Sequence, residues 1–293
     1  MNTNSNKNFL ESFMKGVFIF ASLISIISII LIMIFIFQGG IPFMREYGFV
    51  RFVTGQDWQP TSTYPEFGVL PMIWGSIYTT FLSCLLGVPI GVLTAAYLAK
   101  SCPPKLYRFF KPALNLMAGI PSIVYGFFAL VIIVPFIRNN IGGKGYSILA
   151  STILLAIMIL PTVIALSESA IRSVPKSYYE GSLALGATHD RSIYKVVIPA
   201  ARSGIFAATV LGIGRAIGET MAVVLVSGGQ TRITYDLLKG IRTLTTNVVI
   251  EMGYASGQHR EALIASAVLL FIFILIINGI LFFVKRRSIS NDW

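Results

Sequence analysis

Residues 180–199 read EGSLALGATHDRSIYKVVIP, a polar stretch between two apolar runs. Gly186 is a natural helix stop, because glycine accepts the left-handed geometry that other residues resist. Upstream, Pro175 suits a first helical turn. Tyr178, Tyr179, Leu183 and Leu185 supply apolar bulk, while Gly181 and Ser182 are small. Downstream, Thr188 suits an N-cap and Asp190 the first turn of a second helix. Pro199 lies just before the next apolar run. The stretch therefore reads as helix, glycine turn, helix. Such an element either packs on its own bundle or projects as a knob for a soluble partner.

The flanking runs place the element at a membrane. Hydrophobic residues form 55 % of the 293-residue chain and charged ones 12 %, and mean hydropathy is +0.77. A helix needs roughly 20 apolar residues to cross the hydrocarbon core. Gly16 to Phe37 carries no charge at all. It exceeds a signal-peptide core and no small-x-small cleavage site follows, so a retained helix is expected. Six helices are expected, at 16–38, 74–99, 113–137, 147–167, 203–227 and 262–284. Pro121 and Pro161 fall inside the third and fourth. In lipid, such residues survive where neighbours satisfy the freed carbonyl, as in a packed bundle.

Charge sets the expected orientation. Net charge is +11, but the positives lie in short tracts beside apolar runs, which fits the bilayer better than nucleic acid. Fourteen Lys and Arg residues fall on the side of both termini and the 168–202 loop, and eight on the other. The positive-inside rule makes the first side cytoplasmic. The expected plan is a tail 1–15, a membrane domain 16–284 and a tail 285–293. Residues 38–73 form an external cap, rich in Gly, Pro and aromatics and without helical period. Trp58, Tyr64 and Phe67 argue for order there. The external 228–261 loop has room for a short helix. Cys84 and Cys102 are too few for a disulfide framework and read as free thiols.

The fifth run, GIFAATVLGIGRAIGETMAVVLVSGG, holds Arg215 and Glu219. Arg215 lies about 12 residues from the cytoplasmic edge, roughly 18 Å in, near the centre of a core about 30 Å thick. An Arg there costs roughly 2.5–3.5 kcal/mol on translocon scales. Glu219 is four residues on, so both side chains are expected to share one helix face. The pair is either a structural salt bridge or a substrate path. Guanidinium presents a rigid fork of donors suited to oxyanions. A carboxylate beside it accepts a hydrogen bond only from an oxyanion that still bears a proton, which favours phosphate over sulfate. The Gly214–Gly218 and Gly87–Gly91 steps allow close helix approach.

Glu180, Gly186 and Pro199 match the spacing of the "EAA" loop of ABC-importer permeases, with Gly181 and Ser182 in place of two alanines and Val196 and Ile198 at the aliphatic positions. GRAIGETMAV (214–223), AGIPSIVYGFFAL (118–130) and ALGATHDRSIYKVVIPAARSGI extend the match. The chain resembles permeases of the phosphate-specific (Pst) importers, of the PstC type. That resemblance implies an all-α integral membrane fold with six transmembrane helices, the type I (MetI-like) ABC importer permease. It implies that Glu180, Gly181, Ser182, Leu183, Gly186, Ala187, Thr188 and Pro199 dock an ATPase. It implies that Arg215, Glu219 and Thr220 line the substrate path. The implied partners are a PstA-like second permease, a PstB-like ATPase dimer and a PstS-like phosphate-binding protein, in a bacterial or archaeal cell membrane. His189 and Asp190 depart from the basic–aromatic pair expected after Gly-Ala-Thr.

No Gly-x4-Gly-Lys-Ser/Thr phosphate loop occurs, and GGKG at 142–145 lacks the spacing. ATP and Mg are thus expected on another polypeptide, with no cofactor bound by this chain. A membrane enzyme would need a nucleophile or metal cluster within the spans, and the sequence offers none. A gradient-driven transporter would not need the 180–199 element. Sulfate, molybdate and phosphonate are the alternative substrates. His189 and His259 have no ligand-forming company and read as surface residues. Ser22, Ser25 and Ser28 mark a polar seam or bond their own helix. Lys285, Arg286 and Arg287 read as an interfacial anchor, and Glu168 as a partner for Arg172.

Overall fold

The structure is a computed structural model. It describes the backbone of residues 3–290 and the side chains of residue 11 and residues 13–280. Lys7 and the Lys285–Arg287 anchor lie outside the described side chains.

The chain runs α1 (Thr3–Tyr47), α2 (Phe49–Thr54), β1 (Trp58–Gln59), β2 (Glu66–Phe67) and α3 (Leu70–Ala96). There follow α4 (Pro104–Gly119), α5 (Ser122–Phe128), α6 (Val134–Asn140), α7 (Ile148–Arg172), α8 (Lys176–Ala184) and α9 (His189–Ser192). The last five are α10 (Ile198–Ala200), α11 (Arg202–Gly218), α12 (Met221–Val226), α13 (Leu244–Glu251) and α14 (Gly257–Ser290). Wide π turns extend α3 over Tyr97–Ser101, join α5 to α6 over Ala129–Ile133, and join α9 to α10 over Ile193–Val197. Among the described residues, five helices are long and apolar enough to cross a membrane, or six if the pair 189–200 and 202–218, bent by 70°, counts as one span.

Three helices form the centre. Gly87 of α3 sits where a Cβ would come within 2.7 Å of Ile159, and Gly91 within 2.8 Å of Val163, both on α7. Gly212 of α11 meets Val163 from the other side at 2.9 Å. The expected α3 glycine step is therefore a close packing device. Within this chain the α11 step has no such neighbour, since added Cβ atoms at Gly214 and Gly218 would meet nothing within 4 Å.

Two expected spans are broken. The third divides at Ile120 and Pro121, both extended, so Pro121 precedes α5 instead of lying inside a helix. The ring removes the N–H and disfavours helix for the residue before it. The fifth divides at Glu219 and Thr220. Pro161, by contrast, lies within an unbroken α7. The halves beyond the two breaks pack together: a Cβ on Gly126 of α5 would come within 2.7 Å of Ala222 Cα on α12.

The bundle has two decorated ends. At one, the β1–β2 hairpin pairs Trp58 with Phe67 and buries both rings against Phe43, Phe52 and Leu263. This cap is more regular than its composition suggests, since α1 continues to Tyr47 and α2 follows. Tyr64 departs from expectation and is 85 % exposed at the hairpin tip. The 228–261 segment contributes α13, the expected short helix. The other end carries α8, α9 and the start of α4. Both cysteines are free.

Candidate functional site

The α8–α9 element forms as its residues dictate. Gly186 has φ +84°. Ala187 N–H donates to Ser182 O at 3.1 Å and Gly186 N–H to Leu183 O at 2.9 Å, which closes the last turn as a Schellman motif. Thr188 Oγ1 accepts from Arg191 N–H and caps α9. Glu180, Gly181, Leu183, Gly186 and Thr188 are exposed, while Ser182 and Ala187 are half-buried. Leu185, at the tip, is 91 % exposed. Pro199 stands apart in α10, just before the bend into α11. These residues thus present one projecting, largely uncovered hairpin.

His189 ties that hairpin to the bundle. Its Nδ1 pairs with Tyr179 Oη at 2.6 Å and its Nε2 with Ser101 Oγ at 3.3 Å. Lys100 Nζ lies 5.9 Å from the Tyr179 ring centre. The departure from the basic–aromatic pair therefore has a local role, joining α8, α9 and the end of α3.

Glu168 is more than a partner for Arg172. It is 1 % exposed and accepts from Arg172 Nε at 2.8 Å, Lys111 Nζ at 2.6 Å and Tyr107 Oη at 2.8 Å. Arg172 Nη2 also donates to Leu98 O at 2.8 Å. One carboxylate thus fastens α4, α7 and the end of α3 beside the hairpin. Three good donors answer a buried charge, as burial demands.

Arg215, Glu219 and Thr220 meet at the break in the fifth span, but not as an ion pair on one face. Because α11 stops at Gly218, Glu219 is extended and points elsewhere than a helical i+4 residue would. Arg215 Nη1 donates to Thr162 Oγ1 of α7 at 3.0 Å. Glu219 Oε1 accepts the N–H groups of Thr220 and Ala222 at 3.1 and 3.2 Å. It therefore caps α12, a favourable place for a negative charge. Thr220 Oγ1 donates to Gly218 O, and Thr245 Oγ1 of α13 to Glu219 O. All three site residues are half-buried. Across the gap, Tyr125 Oη donates to Met117 O at 2.8 Å and bridges the other break. An apolar groove of about 390 Å3 lies beside it, lined by Met117, Ile120, Val124, Tyr125, Leu154 and Ile157.

At the cap end His259 is a buried residue, not a surface one. It is 8 % exposed and its Nε2 lies 2.8 Å from Glu251 Oε2. On the same side, the Leu238 N–H first, and then Lys239, hold the Asp236 carboxyl below its ordinary value. Among the described residues no group of three His, Cys, Asp or Glu is arranged to hold a metal ion.

Residues 87–290 match the family of binding-protein-dependent transport system inner membrane components. The chain belongs to that family. The permease is 41 % identical over 236 residues to the probable ABC transporter permease protein YqgH of Bacillus subtilis, covering 78 % of this chain and 76 % of that one. It is 32 % identical to the phosphate transport system permease protein PstC of Mesorhizobium japonicum, covering 86 % and 83 %. It is 31 % identical to the probable PstC of Methanocaldococcus jannaschii, covering 88 % of each. A chain of the MetNI methionine ABC transporter, inward facing, shares the fold with a TM-score of 0.61 at 24 % identity, covering 75 % of the permease and 95 % of that chain. The permease is thus a membrane-embedded, all-α protein with the type I (MetI-like) importer fold. Membership in such a system entails a separate ATPase and a substrate-binding protein as partners.

Proposed function

We propose that this permease is the PstC-like subunit of an ATP-driven importer of inorganic phosphate. The observation that carries the reading is its similarity to PstC permeases along most of both chains. The partners are a PstA-like permease, a PstB-like ATPase dimer and a PstS-like binding protein. ATP and Mg reside on the ATPase, and this chain holds no cofactor and performs no hydrolysis.

The bundle is oriented with both termini and the α8–α9 hairpin in the cytoplasm and the β1–β2 cap outside. The charge asymmetry supports this orientation. Glu180, Gly181, Ser182, Leu183, Gly186, Ala187 and Thr188 seat the hairpin on the ATPase, with Pro199 setting the turn into the membrane. Exposure of the hairpin supports that role. Closure of the ATPase dimer moves the hairpin, and the His189 and Glu168 connections pass the motion to α3, α4 and α7.

Arg215, Glu219 and Thr220 line the path. Arg215 has one described partner, a neutral hydroxyl, so its other donors serve an oxyanion without first breaking an ion pair. The open faces of Gly214 and Gly218 beside it leave room for substrate and for the second permease. The four-component complex in liposomes, loaded with ATP, is expected to accumulate labelled phosphate and to resist competition by sulfate. Equal competition by sulfate, molybdate or phosphonate would move the substrate to another oxyanion. Uptake without the ATPase would favour a gradient-driven carrier.

A further inference from the structure

At the cap end, Glu251 gathers parts of the chain that are far apart in sequence. Its carboxylate is buried, at 6 % exposure. Oε2 accepts from Trp58 Nε1 on β1 at 2.8 Å and pairs with His259 Nε2 on α14 at 2.8 Å. Oε1 accepts from Arg242 Nη1. Arg242 in turn donates to Asn247 Oδ1 at 3.0 Å and, through Nε, to Gly229 O at 2.9 Å. The hairpin, the 228–243 loop, α13 and α14 thus share one carboxylate. A cavity of about 350 Å3 opens beside it, lined by Trp58, Thr61, Ser62, Thr231, Arg242 and His259. The cluster is therefore within reach of a surface that docks on the cap.

Glu251 is the last residue of α13, and the first turn of that helix touches the break in the fifth span. Thr245 Oγ1 donates to Glu219 O at 3.1 Å. Leu244 N–H donates to Ser76 Oγ of α3 at 2.9 Å. A Cβ on Gly75 would lie 2.3 Å from Arg242 O, so α3 braces the same segment. Thr243 and Thr246 cap the helix reciprocally. Eight residues of helix span roughly 12 Å. A rod this short, capped at one end and anchored at the other, moves as a unit.

We propose that Glu251 is a positioning residue that couples the cap to the mid-span break, with α13 as the rigid link to Glu219. Docking of the loaded binding protein on the cap shifts the Glu251 cluster. The α13 rod then carries that shift to the Glu219 carbonyl and to the cap of α12. This rests on the importer reading, which supplies the binding protein and the external face.

The test uses the complete importer in liposomes, with nucleotide hydrolysis measured without and with its phosphate-loaded binding protein. In the wild type the loaded protein is expected to accelerate hydrolysis. Glu251→Gln places an amide NH2 among three donors. It is expected to leave basal hydrolysis within about twofold of wild type and to cut the acceleration at least about fivefold, the size of effect a lost coupling of this kind produces. Thr245→Val severs the other end of the rod and is expected to act alike. The double variant is expected to be no worse than either single, because both cut one path. Trp58→Phe, which removes a single donor, is expected to be intermediate. It and Thr245→Val decide the matter if Glu251→Gln does not assemble. Full acceleration in Thr245→Val and Trp58→Phe overturns the proposal. So does a parallel fall of basal and accelerated rates, the mark of a merely structural cluster. If the wild type shows no acceleration, the importer reading falls and this proposal with it.

Discussion

Replacing Glu219 by alanine and by glutamine separates two jobs performed by one side chain. Its Oε1 accepts the N–H groups of Thr220 and Ala222 at 3.1 and 3.2 Å, where α11 has ended and α12 begins. Loss of an N-terminal cap costs about 1 kcal/mol, within a range of about 0.5–2. At 1.4 kcal/mol per factor of ten, that is roughly a fivefold change in the population holding the break in this form. α12 has only 6 residues, so it has little propagation with which to recover the loss. Alanine removes cap and charge together, whereas the glutamine carbonyl keeps the cap and removes only the charge. Purified complexes are assayed for thermal midpoint, and liposomes for ATP-driven phosphate uptake. Glu219→Ala is expected to lower both. Glu219→Gln is expected to keep the midpoint and lose uptake. Full uptake by Glu219→Gln would show that the charge is idle. An unchanged midpoint in Glu219→Ala would show that the cap contributes nothing.

Gly186→Ala meets no steric obstacle, because nothing lies within 4 Å of the added Cβ. Its cost is therefore the left-handed backbone alone, about 1–2 kcal/mol, read as weaker co-purification of the ATPase. Gly186→Asn, tolerated in that region, is expected to restore most of it. Glu168→Gln leaves Lys111 and Arg172 without their anion. Their side chains are 33 % and 45 % exposed, so solvent repays part of the loss and about 1–3 kcal/mol remains, measured as a lower thermal midpoint. Gly126→Ala forces a Cβ against the Ala222 backbone and is expected to cost about 1–3 kcal/mol. Gly279→Ala, with open space, is the control expected to be neutral.

Local chemistry made the hairpin legible. Gly186 and Thr188 carry their conformations within a few residues, and both adopt them. The spans were legible for the same reason, since apolar length needs no partner. Glu219 was not. The apolar pattern continues on both sides of it, no proline marks the place, and the carboxylate becomes a cap only once the chain has turned. The donor from Thr245, 26 residues on, adds a tertiary contact that no window contains. Glu168 was read as a partner of Arg172 and is one, but its Lys111 and Tyr107 partners and the burial of His259 failed to show for a related reason. Lys111 lies 57 residues from Glu168, and the Trp58 ring against His259 comes from the far end of the chain. Pro121 was visible as a residue, but only the extended geometry at Ile120 distinguishes a broken span from the continuous helix that survives at Pro161.

The first helix stands largely off the bundle. None of its most apolar window is buried, and its intimate contact is at Gly40, where a Cβ would come within 2.9 Å of Ala265 on α14. The helix, Thr3–Tyr47, has 45 residues, or roughly 68 Å, against about 30 Å of hydrocarbon. A rod that overshoots its medium must lean or emerge from it. From Phe18 to Phe35 nearly all its Ile and Phe residues are exposed within this chain, so packing inside the chain does not fix their identity. From Ile36 onward the helix packs on the rest of the chain, with Phe43 and Met44 buried.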